Sequence, residues 1–568
     1  MPKTHAPARG RGKGCLSLLL AFMVCSTSPA LAVEPPNAGT IKSSLEEQKL
    51  PEPAKNSVTI EINQEEKPGP VQDAGPKIRV NGFRVTGAGP VSQAELQELV
   101  KDAAGKELSL TEMQALAQRI AGYLNQRGYM VANAYVPAQD IKDGTVEITV
   151  VPGQYGQIDI RNRSHLKTTV AEGLLGPVKI GDYVKKDVLE RALLLLSDTS
   201  GVSIKATLAP GKTAGSTDLI LEITDTEDVV GTFSLDNYGN RYTGQGVSNM
   251  TLTINNVSGS GDVISLGNNY SGDGMNNASV SYLTPVGNQG AKLGVSFSNM
   301  HYLLGKEFAS LDYTGKSNTT SIFETYPLRR SRDNNVNIQI GFDYRKLADK
   351  GLDITLADKR DYVWNFGING DSRDKLGVNS YSLTLSSGNL SIVGGTDLYG
   401  YSAQSDDSQT AQTAGRYTKA SFNYSRQQVI NNRLSFLFDF SGQLANKNLD
   451  SSEKLFIGGY RGVRAYPEGE ASGDAGYLAR GELRLNMPTP ELQLAAYIDT
   501  GHIVVNKNPW PGAGDNGRTL HGVGLGLITS ASKDYTVRVD YAWKLGPAPV
   551  TSEADRKGRW WLSGVQYF

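Results

Sequence analysis

The chain has 568 residues, with 57 basic and 58 acidic side chains, so its formal net charge of −1 carries no basic excess of the kind that draws nucleic acid. It holds 63 glycines and 26 tyrosines but only 39% hydrophobic residues. No run of about eighteen apolar residues occurs, which excludes a helical membrane protein, whereas a closed transmembrane barrel survives because its strands need apolar side chains only at alternate positions.

Lys3, Arg9, Arg11 and Lys13 make a positive start, Leu16 to Cys25 a short apolar run, and Ala30-Leu31-Ala32 a small-x-small cleavage site. The run is about half the length of a spanning helix, so residues 1–32 read as a removable signal peptide. The alternative, a lipoprotein with Cys25 as the lipidated residue, is opposed by the bulky Val24 before it. Cys15 and Cys25 both fall in this segment, so the mature protein is expected to lack disulfides and to rely on a large core or on the membrane.

Residues 33–75 are rich in Pro, Glu, Lys and Asn and read as a flexible linker, save for one short helix predicted over Ile41 to Leu50. Over residues 76–153 the pattern is compact α/β. Ile78 to Val85 is a predicted strand, and Ser92 with Glu95 forms a capping box opening a helix over Ala94 to Lys101. Ser109 or Thr111 opens a second helix whose apolar face is Met113, Leu116, Ala117, Ile120 and Leu124, and Gly128 closes it. Strands over Ala132 to Val136 and Thr145 to Val151 follow, joined through the Asp143-Gly144 turn. The order β-α-α-β-β repeats over residues 154–227, with a strand at Gly156 to Arg161, helices at Lys167 to Leu175 and Lys186 to Leu196, and strands at Val202 to Pro210 and Thr217 to Thr224. Two copies of one module say more than either alone.

Residues 228–568 lose the helical period and alternate at period two. Val336, Ile338, Ile340 and Phe342 share one face, as do Leu434, Phe436, Phe438 and Phe440, and Val537, Val539, Tyr541 and Trp543. With ~10 residues per spanning strand and turns doubling that, the stretch suits about 16 antiparallel strands of a transmembrane β-barrel. Trp560 to Phe568 reads as an aromatic strand that closes the barrel at a membrane interface. A soluble β-sandwich or propeller would need a second covering layer or a repeat of ~40–50 residues, and no such repeat is found.

Patterns for catalysis are weak. His5, His165, His301, His502 and His521 are scattered and form no His-x-x-x-His pair for zinc. Gly211-Lys212-Thr213 has Ala206 where a phosphate loop needs its first glycine. Gly522, Gly524 and Gly526 alternate as small residues on one strand face rather than as a dinucleotide fingerprint, and no Gly-x-Ser-x-Gly elbow occurs. The expectation is a protein that is not an enzyme and takes no cofactor, metal or nucleotide.

Several segments carry a family resemblance. Leu124 to Tyr129, Ala134 to Gln139 and Asp143-Gly144 in the first module, and Leu193 to Ser197 with Pro210-Gly211 in the second, resemble polypeptide-transport-associated (POTRA) domains. Leu235 to Gly244 is similar to the first barrel strand of two-partner secretion transporters, the haemolysin-activator family, and Tyr326-Pro327-Leu328-Arg329 to a further segment of it. The strongest match is Gln443 to Leu485. There Val463-Arg464-Ala465-Tyr466 resembles the Val-Arg-Gly-Tyr/Phe tip of a long extracellular loop that folds back into the pore, with Ala465 in place of glycine. Tyr497-Ile498-Asp499-Thr500-Gly501 resembles the family's strand motif whose acid faces that arginine.

The resemblance implies a barrel of about 16 strands in a bacterial outer membrane, preceded by two periplasmic POTRA modules. Such a protein recognises an unfolded exoprotein through that partner's N-terminal secretion domain and passes it through the pore to the cell surface. Client-binding residues are not assigned beyond the span 77–225, and the partners expected are the exoprotein and outer-membrane lipid, with no nucleic acid and no nucleotide. The resemblance also implies that an N-terminal helix, here Ile41 to Leu50, plugs the pore. Arg464 and Asp499, with Gly501 beside the acid, are expected to pin a loop that has little apolar surface of its own. Rival readings are an assembly factor that inserts other barrels, which usually carries more POTRA modules, and a passive porin, which has no use for residues 77–225.

Overall fold

The computed structural model describes residues 35–45, 58–62 and 75–568, apart from 88, 490 and 532–533. The predicted signal and the end of the predicted helix, 46–50, lie outside the described residues.

Reciprocal capping starts the long helix of the first module: Ser109 accepts from the Glu112 amide and Glu112 from the Ser109 amide, and the helix runs Leu110–Gln126. Its Met113, Ala117, Ile120 and Leu124 are buried with Val146, Ile148 and Val150 of the strand Thr145–Val151, which lies between Gly82–Thr86 and Asn133–Tyr135. The predicted strand over Ile78 to Val85 is two strands. Ile78–Arg79 pairs with Glu107–Leu108 and Gly82–Thr86 joins the main sheet, because the Val80 and Asn81 amides between them bond to carbonyls of different elements, Lys106 and Gly144. At Ser92 only half of the expected capping box forms. Ser92 caps the Glu95 amide, but Glu95 turns to Tyr123 and Arg127 of the neighbouring helix, and the first helix is short, Gln93–Glu98.

The second module repeats the plan. Helix Lys186–Ser197 buries Leu189, Leu193, Leu194 and Leu196 against Ile204, Leu208, Leu219 and Leu221 of the strands Val202–Pro210 and Ser216–Asp225. One strand was not expected. Thr59–Ile62, read from sequence as flexible linker, pairs in parallel with Val202–Pro210, so the sheet has four strands ending in Gln154–Arg163.

From Val229 onward, sixteen strands among the described residues close into a barrel. The first, Val229–Asp236, pairs antiparallel with the last, Gly558–Tyr567, which leaves no open sheet edge. The segment from Asn237 to Gly244 that resembled part of the first strand is the turn after it. Alternation decides which face is which. Ile340, Trp364, Phe366 and Leu525 stay about half exposed on the outside, where lipid would cover them, while Gln339, Asp343, Asn365 and Asn369 line the interior. The barrel's turn after Thr314–Arg329 holds the second module. Arg330 forks onto the Asp198 carboxylate at 2.6 and 2.8 Å, Arg332 pairs with Glu190, and Lys292 donates to the Asp198 carbonyl at 2.9 Å.

Candidate functional site: a loop and a helix seated in the barrel

The strands Leu434–Ala445 and Ala475–Asn486 are joined by a long segment stemmed by the short pairing of Leu455–Phe456 with Ser472–Gly473. Its tip carries Val463, Arg464, Ala465 and Tyr466, and all four are buried. The Arg464 guanidinium donates to both oxygens of Asp499, each at 2.8 Å, and the Arg464 amide adds a third bond at 3.1 Å. Its remaining nitrogen donates to Glu482 at 2.7 Å. The Tyr497 ring lies 3.3 Å from the guanidinium carbon, a cation on an aromatic face. Trp561 of the last strand donates its ring N–H to the Arg464 carbonyl at 2.7 Å. Arg464 and Asp499 have no exposed surface, so the fork is shielded from water on all sides.

Glu482, Tyr497 and Trp561 were not singled out from sequence as partners of the tip. Glu482 had a signal: Arg480, Glu482 and Arg484 alternate on one face of a strand whose other face is apolar, which puts three charges inside a barrel. Glu482 in turn accepts from Arg484 at 2.7 Å and from Arg538 at 2.8 Å, so the lock belongs to a wider network across the wall.

The loop also has a substantial apolar face, contrary to expectation. Leu455, Ile457, Val463, Ala465, Tyr466 and Ala471 pack with Leu478, Tyr497, Ile503, Leu520, Ala542 and Val550. Small residues on the wall make room for it. A Cβ at Gly501 would stand 3.1 Å from the Ile457 Cβ and one at Gly522 would stand 2.7 Å from the Ala465 Cβ, while Gly524 makes room for the ring of its strand neighbour Tyr497. Ala465 does not take positive φ, so alanine in place of glycine costs the tip nothing in backbone freedom. Further along, Tyr466 donates to the Ala548 carbonyl at 3.0 Å, and Glu470 accepts from the Thr551 and Ser552 amides at 2.7 and 3.1 Å.

The N-terminal helix spans Ala38–Leu45, three residues ahead of its predicted start, because Asn37 accepts from the Thr40 amide and opens it there. Ile41 is buried with Tyr242, Met275, Met300, Tyr302, Leu304 and Leu347 of the barrel. The Ala38 amide donates to Asp349 at 2.7 Å, and Ser43 donates to the Ser452 carbonyl at 2.8 Å. Gly39 lets the helix approach the loop, since a Cβ there would stand 2.3 Å from the Ser451 hydroxyl. Below it Glu453 is buried, pairing with Arg345 and, at 2.9 Å, with Lys419. Burial pushes the Glu453 carboxyl up, but Arg345, Lys419 and Lys42 override it and hold it at about 2. Helix and loop are thus fastened to each other and to the wall.

A closed barrel, apolar outside and polar within, with two β-α-α-β-β modules before it and its own loop and helix seated in the lumen, defines an outer-membrane polypeptide transporter. Residues 215–529 match the family of haemolysin secretion/activation proteins ShlB/FhaC/HecB, and residues 78–153 match the ShlB-type POTRA domain. The chain belongs to this family and is an outer-membrane transporter of two-partner secretion, with its POTRA modules in the periplasm. It is 29% identical over 485 residues to the heme/hemopexin transporter protein HuxB of Haemophilus influenzae, covering 84% of each chain. It is 23% identical over 544 residues to the outer membrane transporter CdiB of Escherichia coli, covering 91% of this chain and 88% of the relative. The solved structure of CdiB from Escherichia coli shares the fold, with a TM-score of 0.68, 21% identity and coverage of 89% of this chain and 93% of that one.

Proposed function

We propose that the structure is the resting state of the transporter, and that the periplasmic modules receive the N-terminal secretion domain of a large exoprotein before the pore opens. The observation that carries this reading is the double occupancy of the lumen, by the helix Ala38–Leu45 and by the loop tip locked through Arg464. A path for an unfolded chain exists once the helix leaves. The loop, held by Asp499 and Glu482, stays as part of the wall. Client capture is by β-augmentation, in which an extended strand adds main-chain hydrogen bonds to a sheet edge and so tolerates varied sequence. The client then threads extended and folds outside, and that folding supplies direction without nucleotide.

The first measurement is binding. Each module has its own buried core, so residues 76–227 are expected to fold in isolation and to bind the client's N-terminal secretion domain. Calorimetry should find an affinity at least as high as that of the full-length protein in detergent. A fragment that is folded by circular dichroism yet shows no heat of binding, while the full-length protein binds, would move capture from the modules to the barrel.

A further inference from the structure

Val202–Pro210 of the second module is paired along one edge with Ser216–Asp225, while on its other edge, among the described residues, only Lys205–Leu208 is covered, by the four residues Thr59–Ile62. The first module's edges are less open. Gly82–Thr86 has its Phe83 and Val85 carbonyls capped by the Gln97 and Gln93 side chains at 3.0 and 2.6 Å, and Asn133–Tyr135 is three residues long. We propose that the edge of Val202–Pro210 is the receiving site for an extended client strand, and that Thr59–Ile62 occupies this edge until the client exchanges for it. The proposal rests on the reading that the modules capture the client.

The occupant is built to be replaced. It brings four main-chain pairs, one partly buried side chain in Ile60, one buried anchor in Val58 and an exposed ion pair from Glu61 to Lys205 at 2.9 Å. Main-chain pairing is indifferent to sequence, and an exposed ion pair adds little. The strand that fits best in its place has the same signature: β-branched residues with an acid opposite Thr207, within diagonal reach of Lys205.

Exchange would be felt in the barrel. The Val58 carbonyl accepts from Arg332 at 2.9 Å, and Arg332, on the barrel turn, also pairs with Glu190 of the module's helix. The seated strand also shortens the leash on the plug. Twelve residues separate Leu45 from Val58, whereas thirty-two separate Leu45 from Ile78, the next strand along. Effective concentration falls roughly as the −3/2 power of tether length, so releasing the strand lowers the plug's hold on its seat roughly fourfold. Client capture at this edge thereby favours an open pore.

The test uses full-length protein carrying Thr59→Cys and Lys205→Cys, paired positions on the exposed face of the sheet. The probes are a labelled peptide of residues 56–64 and the partner's secretion domain. The oxidised, locked protein is expected to bind neither, and reductant should restore both on the same molecules. Val58→Asp, which unseats the strand, should bind the peptide on the order of tenfold more tightly than wild type, because the tethered competitor is gone. Equal binding of both probes to locked and reduced protein overturns the exchange and leaves capture by the modules standing. Secretion-domain binding in neither state overturns the capture reading and the exchange with it.

Discussion

Arg464→Ala is expected to reduce secretion to background while the barrel still inserts and stays heat-modifiable on gels. The guanidinium serves two buried carboxylates and an aromatic ring, and the tip's backbone is aligned by the same contacts. Removing the side chain leaves the buried Asp499 with the residue-464 amide and Arg480 at 3.9 Å but without its charged fork, a loss of about 3–5 kcal/mol of the kind that follows breaking a buried pair. Glu482 suffers less, because Arg484 and Arg538 remain. Asp499→Ala should approach the arginine variant in severity, and the double variant should be little worse than either, since both remove one interaction. Arg464→Lys should fail as well, because an ammonium cannot fork onto Asp499, reach Glu482 and lie flat on Tyr497 together. The apolar contacts of Ile457, Val463 and Tyr466 predict that the loop in these variants is loosened within the barrel rather than expelled. Protease access at the tip would report that. Normal secretion by both single variants, or defects that simply add, would remove the lock from the mechanism.

Deleting residues 36–45 is expected to raise single-channel conductance several-fold in planar bilayers while secretion is largely kept. Ile41→Asp should do nearly the same with one side chain. Ile41 is almost fully buried, and its burial contributes roughly 1.5–3 kcal/mol. A helix of eight residues has no stability of its own to offset that loss, so the plug holds only through its seat. The acid end of the seat is robust to pH. Glu453 is held at about 2, below its usual 4.5, so its contribution is fully present above the usual value and is lost only as pH falls through about 2. The Glu453 pairing should therefore persist between about pH 7 and pH 5, and Glu453→Gln, which removes one carboxylate shared by Arg345 and Lys419, should open the pore across that range. Unchanged conductance after deletion would mean that the loop alone closes the lumen.

Local chemistry determined the parts that a short window of residues can settle. The alternation of Leu434, Phe436, Phe438 and Phe440 sets an outward face without reference to any other strand, and the reciprocal cap at Ser109 and Glu112 sets a helix start within four residues. The repeated β-α-α-β-β order and the barrel were legible for this reason, whereas the motif at 463–466 was legible only through its family resemblance. Only the tertiary structure decided what depends on residues far apart. Glu95 abandons its capping box because Tyr123 and Arg127 come within reach, and Thr59–Ile62 is a strand only because Val202–Pro210 offers an edge. An isolated four-residue stretch cannot repay its own ordering entropy, so no local pattern could announce it. The same holds at the site. Arg464 meets Glu482, Asp499 and Trp561 across three strands, and the plug meets Asp349 and Ser452. Those bonds are strong because the closed barrel excludes water around them, and that exclusion exists only when all sixteen strands are in place.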